Sequence, residues 1–204
     1  VVTLAAAGLG RQSAAAPAYD LVITNGRVVD GAGNPWFRAD VAIKDGRVAR
    51  IGRVRPEEAR AVIDAQNRVV APGFIDVHAH VESIYRQPDA ENFVRMGVTT
   101  LVSGNCGSSA DDVGEFLGRI RETPLAVNLA TLVGHGTVRN QVLKLENRAP
   151  SGEEQRRMEE IVERAMRDGA VGISTGLIYV PGTYAKTEEV VGLATAKARD
   201  AEGI

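Results

Sequence analysis

After Pro72-Gly73 the chain settles into an alternation of strand and helix patterns, and this rhythm limits the fold more than any other feature of the sequence. Gly73 to His80 reads as a strand. Asp89 to Met96 reads as a short helix with Ala90, Phe93 and Val94 on one side, stopped by Gly97. Val98 to Ser103 is the next strand, and Asp111 to Arg121 the next helix, with Val113, Phe116, Leu117 and Ile120 inward. Leu125 to Val133 is the third strand. Ser151 and Glu154 then form a capping box ahead of the apolar stripe Met158, Ile161, Val162, Ala165 and Met166, and Gly169 ends that helix. Ala170 to Ser174 is the fourth strand. Thr187 caps a last helix with Val190, Val191 and Ala194 on one face and Gly203 as its stop. Strands alternating with helices imply an α/β fold with a parallel sheet and right-handed crossovers. No phosphate-type glycine loop follows the first strand, which favours a barrel over a dinucleotide-binding fold. Four βα units are half of a (β/α)8 barrel, so residues 72–204 are expected to be an incomplete barrel and the chain a fragment.

Ahead of this lie two other regions. Residues 19–71 read as short strands and turns: a β-rich run from Asp20 to Val29 broken by the hairpin dipeptide Asn25-Gly26, a pair around Asp45-Gly46, and a pair around Gln66-Asn67. They are expected to form part of a small antiparallel β domain. Residues 1–18 start without Met, are apolar and small, and end in Ala16-Pro17-Ala18, the form of a signal-peptidase site. Two readings stand: the back half of a signal peptide, which implies export to the periplasm or beyond, or a disordered Ala-rich tail on a cytoplasmic protein. The apolar run is far shorter than the ~20 residues that a membrane span needs.

Charge narrows the partners. With 24 basic and 26 acidic residues the formal net charge is −2, which argues against nucleic acid, whose phosphates call for a basic surface. A small molecule is the expected partner, and the oligomeric state is left open. One cysteine excludes an intramolecular disulfide, so Cys106 is either an apolar packing residue or a thiolate put to chemical use.

Chemistry concentrates at the ends of the first two barrel-type strands. In Gly-Phe-Ile-Asp-Val-His-Ala-His, strand alternation puts Asp76, His78 and His80 on one side and Ile75, Val77 and Ala79, toward the helices, on the other. Two imidazoles two residues apart at the C-terminal end of a barrel strand can grip one metal ion, where active sites of such barrels lie. The second strand ends in Ser103-Gly104-Asn105-Cys106-Gly107. The glycines let the backbone bend so that the thiolate can reach the same place as a metal ligand. Asp76 suits a structural hydrogen bond better than catalysis. His135, in Gly134-His135-Gly136, is expected to face the barrel mouth, either binding substrate or stabilising its loop. Tyr179 and Tyr184, flanking Pro181-Gly182, are candidates either to line a substrate pocket or to pack the loop, and Arg139 either meets a substrate carboxylate or makes an exposed salt bridge.

The segments Gly-Phe-Ile-Asp-Val-His-Ala-His, Gly-Val-Thr-Thr-Leu-Val-Ser-Gly-Asn-Cys-Gly, Val-Gly-His-Gly-Thr-Val-Arg and Gly-Ile-Ser-Thr-Gly-Leu-Ile-Tyr-Val-Pro-Gly resemble the N-acyl-D-amino-acid deacylase (D-aminoacylase) family of the metal-dependent amidohydrolase superfamily, from about Tyr19 onward. The resemblance implies a (β/α)8 barrel joined to a small β domain. It implies His78 and His80 as a first metal pair, Cys106 as an unusual cysteine ligand, and Glu82 as the acidic residue that follows the histidines. It implies a divalent metal, most simply Zn2+, whose bound hydroxide attacks a linear amide of an N-acyl-D-amino acid. It also implies two further histidines and a general acid/base aspartate, expected beyond Ile204, so that this chain alone is expected to lack a complete catalytic set. Two alternatives remain. One is a cyclic-amide hydrolase of the hydantoinase or dihydroorotase kind, although the strand Ala170 to Ser174 offers no lysine to bridge two metals. The other is a non-catalytic barrel remnant.

Overall fold

The computed structural model describes residues 16–201. The leader expected over residues 1–18 thus falls outside the described residues except at its last few positions, as do Gly203 and Ile204. The chain divides between Pro72 and Gly73 into two compact units.

In the first unit β1 (Tyr19–Val28) pairs antiparallel with β2 (Phe37–Lys44), which pairs antiparallel with β3 (Arg47–Gly52). On its other side β1 runs parallel to β4 (Ala59–Asp64) and then to β5 (Val69–Val70). The turn between β2 and β3 is the expected one, with both Asp45 and Gly46 at positive φ, the backbone that a two-residue hairpin asks for. Asn25-Gly26 is not a hairpin. β1 runs straight through it, Asn25 takes a φ of 57°, and the register against β2 shifts there, which makes it a bulge. The Gln66-Asn67 turn does not join an antiparallel pair either. Asn67 N–H donates to the Asn25 carbonyl and Arg27 N–H to the Arg68 carbonyl, so the turn carries the chain past the bulge along the same edge of β1. The sheet is therefore mixed rather than antiparallel. Val22, Ala42 and Val54 are buried at its centre, with Tyr19 and Ala59 packed against them.

The second unit holds four parallel strands in chain order: β6 (Phe74–Asp76), β7 (Val98–Ser103), β8 (Asn128–Gly134) and β9 (Gly172–Ser174). Between and after them come α1 (Glu91–Arg95), α2 (Val113–Glu122), α3 (His135–Leu143), α4 (Gly152–Arg167) and α5 (Thr187–Ala201). This is the order of the first four βα units of a (β/α)8 barrel. α4 begins as expected: Ser151 Oγ accepts from Glu154 N–H, Glu154 returns a bond to Ser151 N–H, and Met158, Val162 and Ala165 are buried. They share one core with Val133, Val138, Leu143 and Leu193, and a second core joins Ala79, Ile84, Ala90, Leu101 and Val127.

Three expectations need correction. The first strand stops at Asp76, so His78 and His80 lie in the bend that follows rather than on the strand. Ile75 on this edge strand and Val77 just after it are exposed, because the short α1 covers Ala79 and Leu101 instead. α3 was not expected at all. In α5 the inner face is Glu189, Leu193 and Ala196, while Val191 and Ala194 face outward.

Candidate metal centre

The bend carrying the two histidines is fixed by local chemistry. Asp76 Oδ1 accepts the His78 N–H at 3.0 Å, the structural use expected of it. Between the histidines, Ala79 is buried and its N–H donates to the Val102 carbonyl at the end of β7. Buried Asn105 donates through Nδ2 to the Val102 carbonyl at 2.8 Å and to the Ala79 carbonyl at 3.4 Å. The histidine bend and the Cys106 turn are thus tied to one another through a single side chain.

The Cys106 turn is held from several sides. Glu82 Oε1 accepts from Ser103 Oγ at 2.9 Å and from Gly104 N–H at 3.1 Å. Its carboxylate therefore braces the start of the turn. Ser174, at the end of β9, donates to the Gly104 carbonyl at 2.5 Å and accepts the Gly107 N–H at 2.9 Å. Cys106 itself sits at φ 55°, a conformation that L residues adopt only when their surroundings impose it. Gly104 is obligatory: its φ is +80°, and a Cβ there would lie 2.1 Å from the Leu132 carbonyl oxygen.

These constraints bring His78, His80 and Cys106 together. One ligand atom from each lies within 4.8 Å of the others, and Cys106 Sγ is 3.2 Å from His78 Nε2. The imidazoles meet edge to face, 5.6 Å between centroids. A sulfur and a nitrogen on one tetrahedral zinc, at bond lengths of about 2.3 and 2.0 Å, stand roughly 3.6 Å apart, so the spacing of this donor set fits one ion. Both histidines are exposed and Cys106 is half-buried, so the donors face outward.

A cleft of about 610 Å³ opens beside the trio, lined among others by His80, Cys106, Asp111, Asn140, Leu145 and Tyr179. Tyr179 is among the residues that line this cleft. Tyr184 is half-buried in a 3-10 turn, Gly182–Tyr184, and is not among the lining residues. His135 is fully buried and does not face an opening. Its Nε2 lies 2.9 Å from Glu189 Oε1, because α3 starts at this residue and turns the ring toward α5. Arg139 is neither exposed nor in the cleft. It pairs with the other Glu189 oxygen and donates through Nη2 to the carbonyls of Arg148 (2.6 Å) and Glu146 (3.3 Å). Ser174, Asn105 and Glu189 escaped the sequence reading, since each acts through partners distant in the chain.

The amidohydrolase family profile matches residues 61–203. The chain belongs to the amidohydrolase family. A urease alpha-subunit N-terminal domain profile also matches residues 4–73. Within the family, the D-aminoacylase of Alcaligenes xylosoxydans xylosoxydans is 38% identical over 197 residues, covering 85% of this chain and 41% of that protein. The chain therefore spans about two fifths of the length of such curated relatives. The crystal structure of an N-acyl-D-glutamate deacylase from Bordetella bronchiseptica, complexed with zinc and a phosphonate inhibitor, superposes with a TM-score of 0.84 at 36% identity, covering 89% of this chain and 43% of that one. An L-hydantoinase from Arthrobacter aurescens shares the fold alone, at 21% identity and a TM-score of 0.58 over 86% of this chain and 37% of that one. The resemblance to the D-aminoacylases thus holds, and the cyclic-amide hydrolases stand further off.

Proposed function

We propose that this amidohydrolase chain carries a metal centre of His78, His80 and Cys106 in a protein that hydrolyses the linear amide of N-acyl-D-amino acids. The observation that carries the reading is the meeting of a thiol and two imidazoles at the C-terminal ends of β6 and β7, beside a cleft large enough for a small substrate. The substrate class is argued from the relatives, which are named as D-aminoacylase and N-acyl-D-glutamate deacylase.

Two nitrogens and a sulfur suit zinc and do not suit magnesium or calcium, which take oxygen donors. A divalent metal held there supplies a water acidic enough to act near neutrality and a Lewis acid for the amide carbonyl. The chain's own residues do the rest of what can be assigned here. His78 and His80 serve as neutral donors and Cys106 as the thiolate. Asn105, Glu82 and Ser174 hold the two loops in register, so that the donors are placed before a ligand arrives. Export, resting on residues 1–18, remains part of the proposal.

The test uses the whole product of the gene. Zinc-loaded protein is expected to release free amine from N-acetyl-D-amino acids and not from the L enantiomers, and to lose zinc and turnover together when Cys106 or His80 is replaced by Ala. Turnover of dihydrouracil or a hydantoin with N-acetyl-D-amino acids untouched would overturn the substrate class, and full zinc content in both variants would overturn the site.

A further inference from the structure

Behind the cleft, the second unit buries a charged cluster that the proposed chemistry does not use. Glu189, on the first turn of α5, is 3% exposed, and His135 and Arg139, one turn apart on α3, are fully enclosed. One Glu189 oxygen meets His135 Nε2 and the other meets Arg139 Nη1. One carboxylate is shared between a permanent guanidinium and one nitrogen of the imidazole, and the ring's other nitrogen, the buried Nδ1, has no hydrogen-bond partner among the described residues. Such a cluster is expensive to bury and calls for an explanation.

What the cluster touches supplies one. Arg139 Nη2 holds the carbonyls of Glu146 and Arg148, fixing the loop that carries Leu145 into the cleft wall. His135 stands behind Gly182, where a Cβ would lie 3.6 Å from its Nδ1, and Gly182 forms another part of the wall. The α5 anchor is itself held by Gln155 of α4, whose Nε2 donates to the Glu189 carbonyl at 3.3 Å. Neither His78, His80 nor Cys106 has a hydrogen bond to the cluster among the described residues.

We infer that Glu189 is a positioning residue for the substrate cleft, holding the Leu145 wall through Arg139 and the Gly182 wall through His135, and leaving the metal donors alone. The inference deepens the deacylase reading and rests on it only where turnover is measured. Two arms separate them. The first is hydrogen exchange by mass spectrometry on the zinc-loaded whole gene product. Arg139→Lys keeps the charge but lacks the planar fork, so exchange across 144–150 should quicken about tenfold or more while 182–185 keeps its protection. His135→Asn should do the opposite. Glu189→Gln should loosen both, with zinc content and exchange across 98–107 unchanged. The second arm is kinetic: Glu189→Gln should raise KM for an N-acetyl-D-amino acid about tenfold with kcat held within about twofold. Should Glu189→Gln fail to fold, the two separable exchange patterns of Arg139→Lys and His135→Asn decide the matter. Loosening of the whole unit in step with zinc loss, or identical patterns in those two variants, would show a merely structural cluster and overturn the inference. Absence of turnover in the wild type, with the exchange patterns as expected, would defeat the deacylase reading and leave the positioning role standing.

Discussion

Two polar clusters in the same unit make opposite use of histidine. At the ends of β6 and β7, His78 and His80 are exposed, converge with a half-buried thiol, and among the described residues have no acidic side chain paired with their rings. Behind α3, His135 is sealed from water, takes its partner from Glu189, and shares that carboxylate with Arg139. The first cluster gathers donors without compensating them, an arrangement suited to a cation from outside. The second pairs its one carboxylate internally with a guanidinium and an imidazole, and is sealed from water. A histidine's role therefore follows from what its partners leave unsatisfied, and residue type and position near a strand end do not decide it.

The comparison breaks first at the metal donors. His78→Ala or His80→Ala is expected to weaken zinc binding by more than about 100-fold, since even outer partners of a metal ligand cost ~10–100-fold, and to leave the thermal midpoint of the metal-free protein almost unchanged because both side chains are exposed. Competition with a chelator and calorimetry on the same samples read both quantities. The sealed cluster should behave the other way round. Glu189→Ala leaves Arg139 buried without its counter-charge and is expected to cost about 3–5 kcal/mol in denaturant unfolding, with the zinc affinity of the folded fraction retained.

Between these extremes lies Ser174, which touches neither cluster's functional atoms but brackets the Cys106 turn. Ser174→Ala strands the Gly104 carbonyl and the Gly107 N–H, and is expected to cost about 1–3 kcal/mol and to weaken zinc binding as well, about tenfold. The smallest effect belongs to an exposed ion pair used as a control. The Arg148 fork, and after it the Ser151 N–H, hold the Glu154 carboxyl down at about 2. A carboxyl lowered on folding stabilises the folded chain fully above its unfolded value, near 4.5, and the gain is lost as pH falls toward about 2. The difference in thermal midpoint between wild type and Glu154→Gln should therefore be small at pH 6 and vanish toward pH 2, with zinc binding at neutral pH the same in both.

What the sequence reveals follows the range of the interactions involved. β7 and α4 are legible because their signals are local: a run rich in β-branched residues in the one, a capping box and an apolar stripe in the other. The Asp45-Gly46 hairpin is legible for the same reason. Asn25-Gly26 carries the same local signal and becomes a bulge, because β4 and β5 pair along the far side of β1, which no window around Asn25 contains. α3 is invisible to an apolar-stripe criterion because two of its buried positions are His135 and Arg139. α5 is misphased because Glu189, which looks like an ordinary acidic residue at a helix N-terminus, occupies a core position. At the candidate metal site, the residue types and spacing of His78, His80 and Cys106 could be read in advance. The bend after Asp76, and the tie through Asn105 that brings the donors together, could not.

The central claim is that one ion is held by two imidazoles and a thiolate. Zinc K-edge X-ray absorption on stoichiometrically loaded protein reads that shell directly. The account predicts a sulfur scatterer at about 2.3 Å with nitrogen or oxygen scatterers near 2.0 Å, and loss of the sulfur shell, with weaker binding but an unchanged thermal midpoint of the metal-free protein, in Cys106→Ser. A wild-type shell of nitrogen and oxygen alone, or a Cys106→Ser protein that binds zinc as tightly as before, would contradict it.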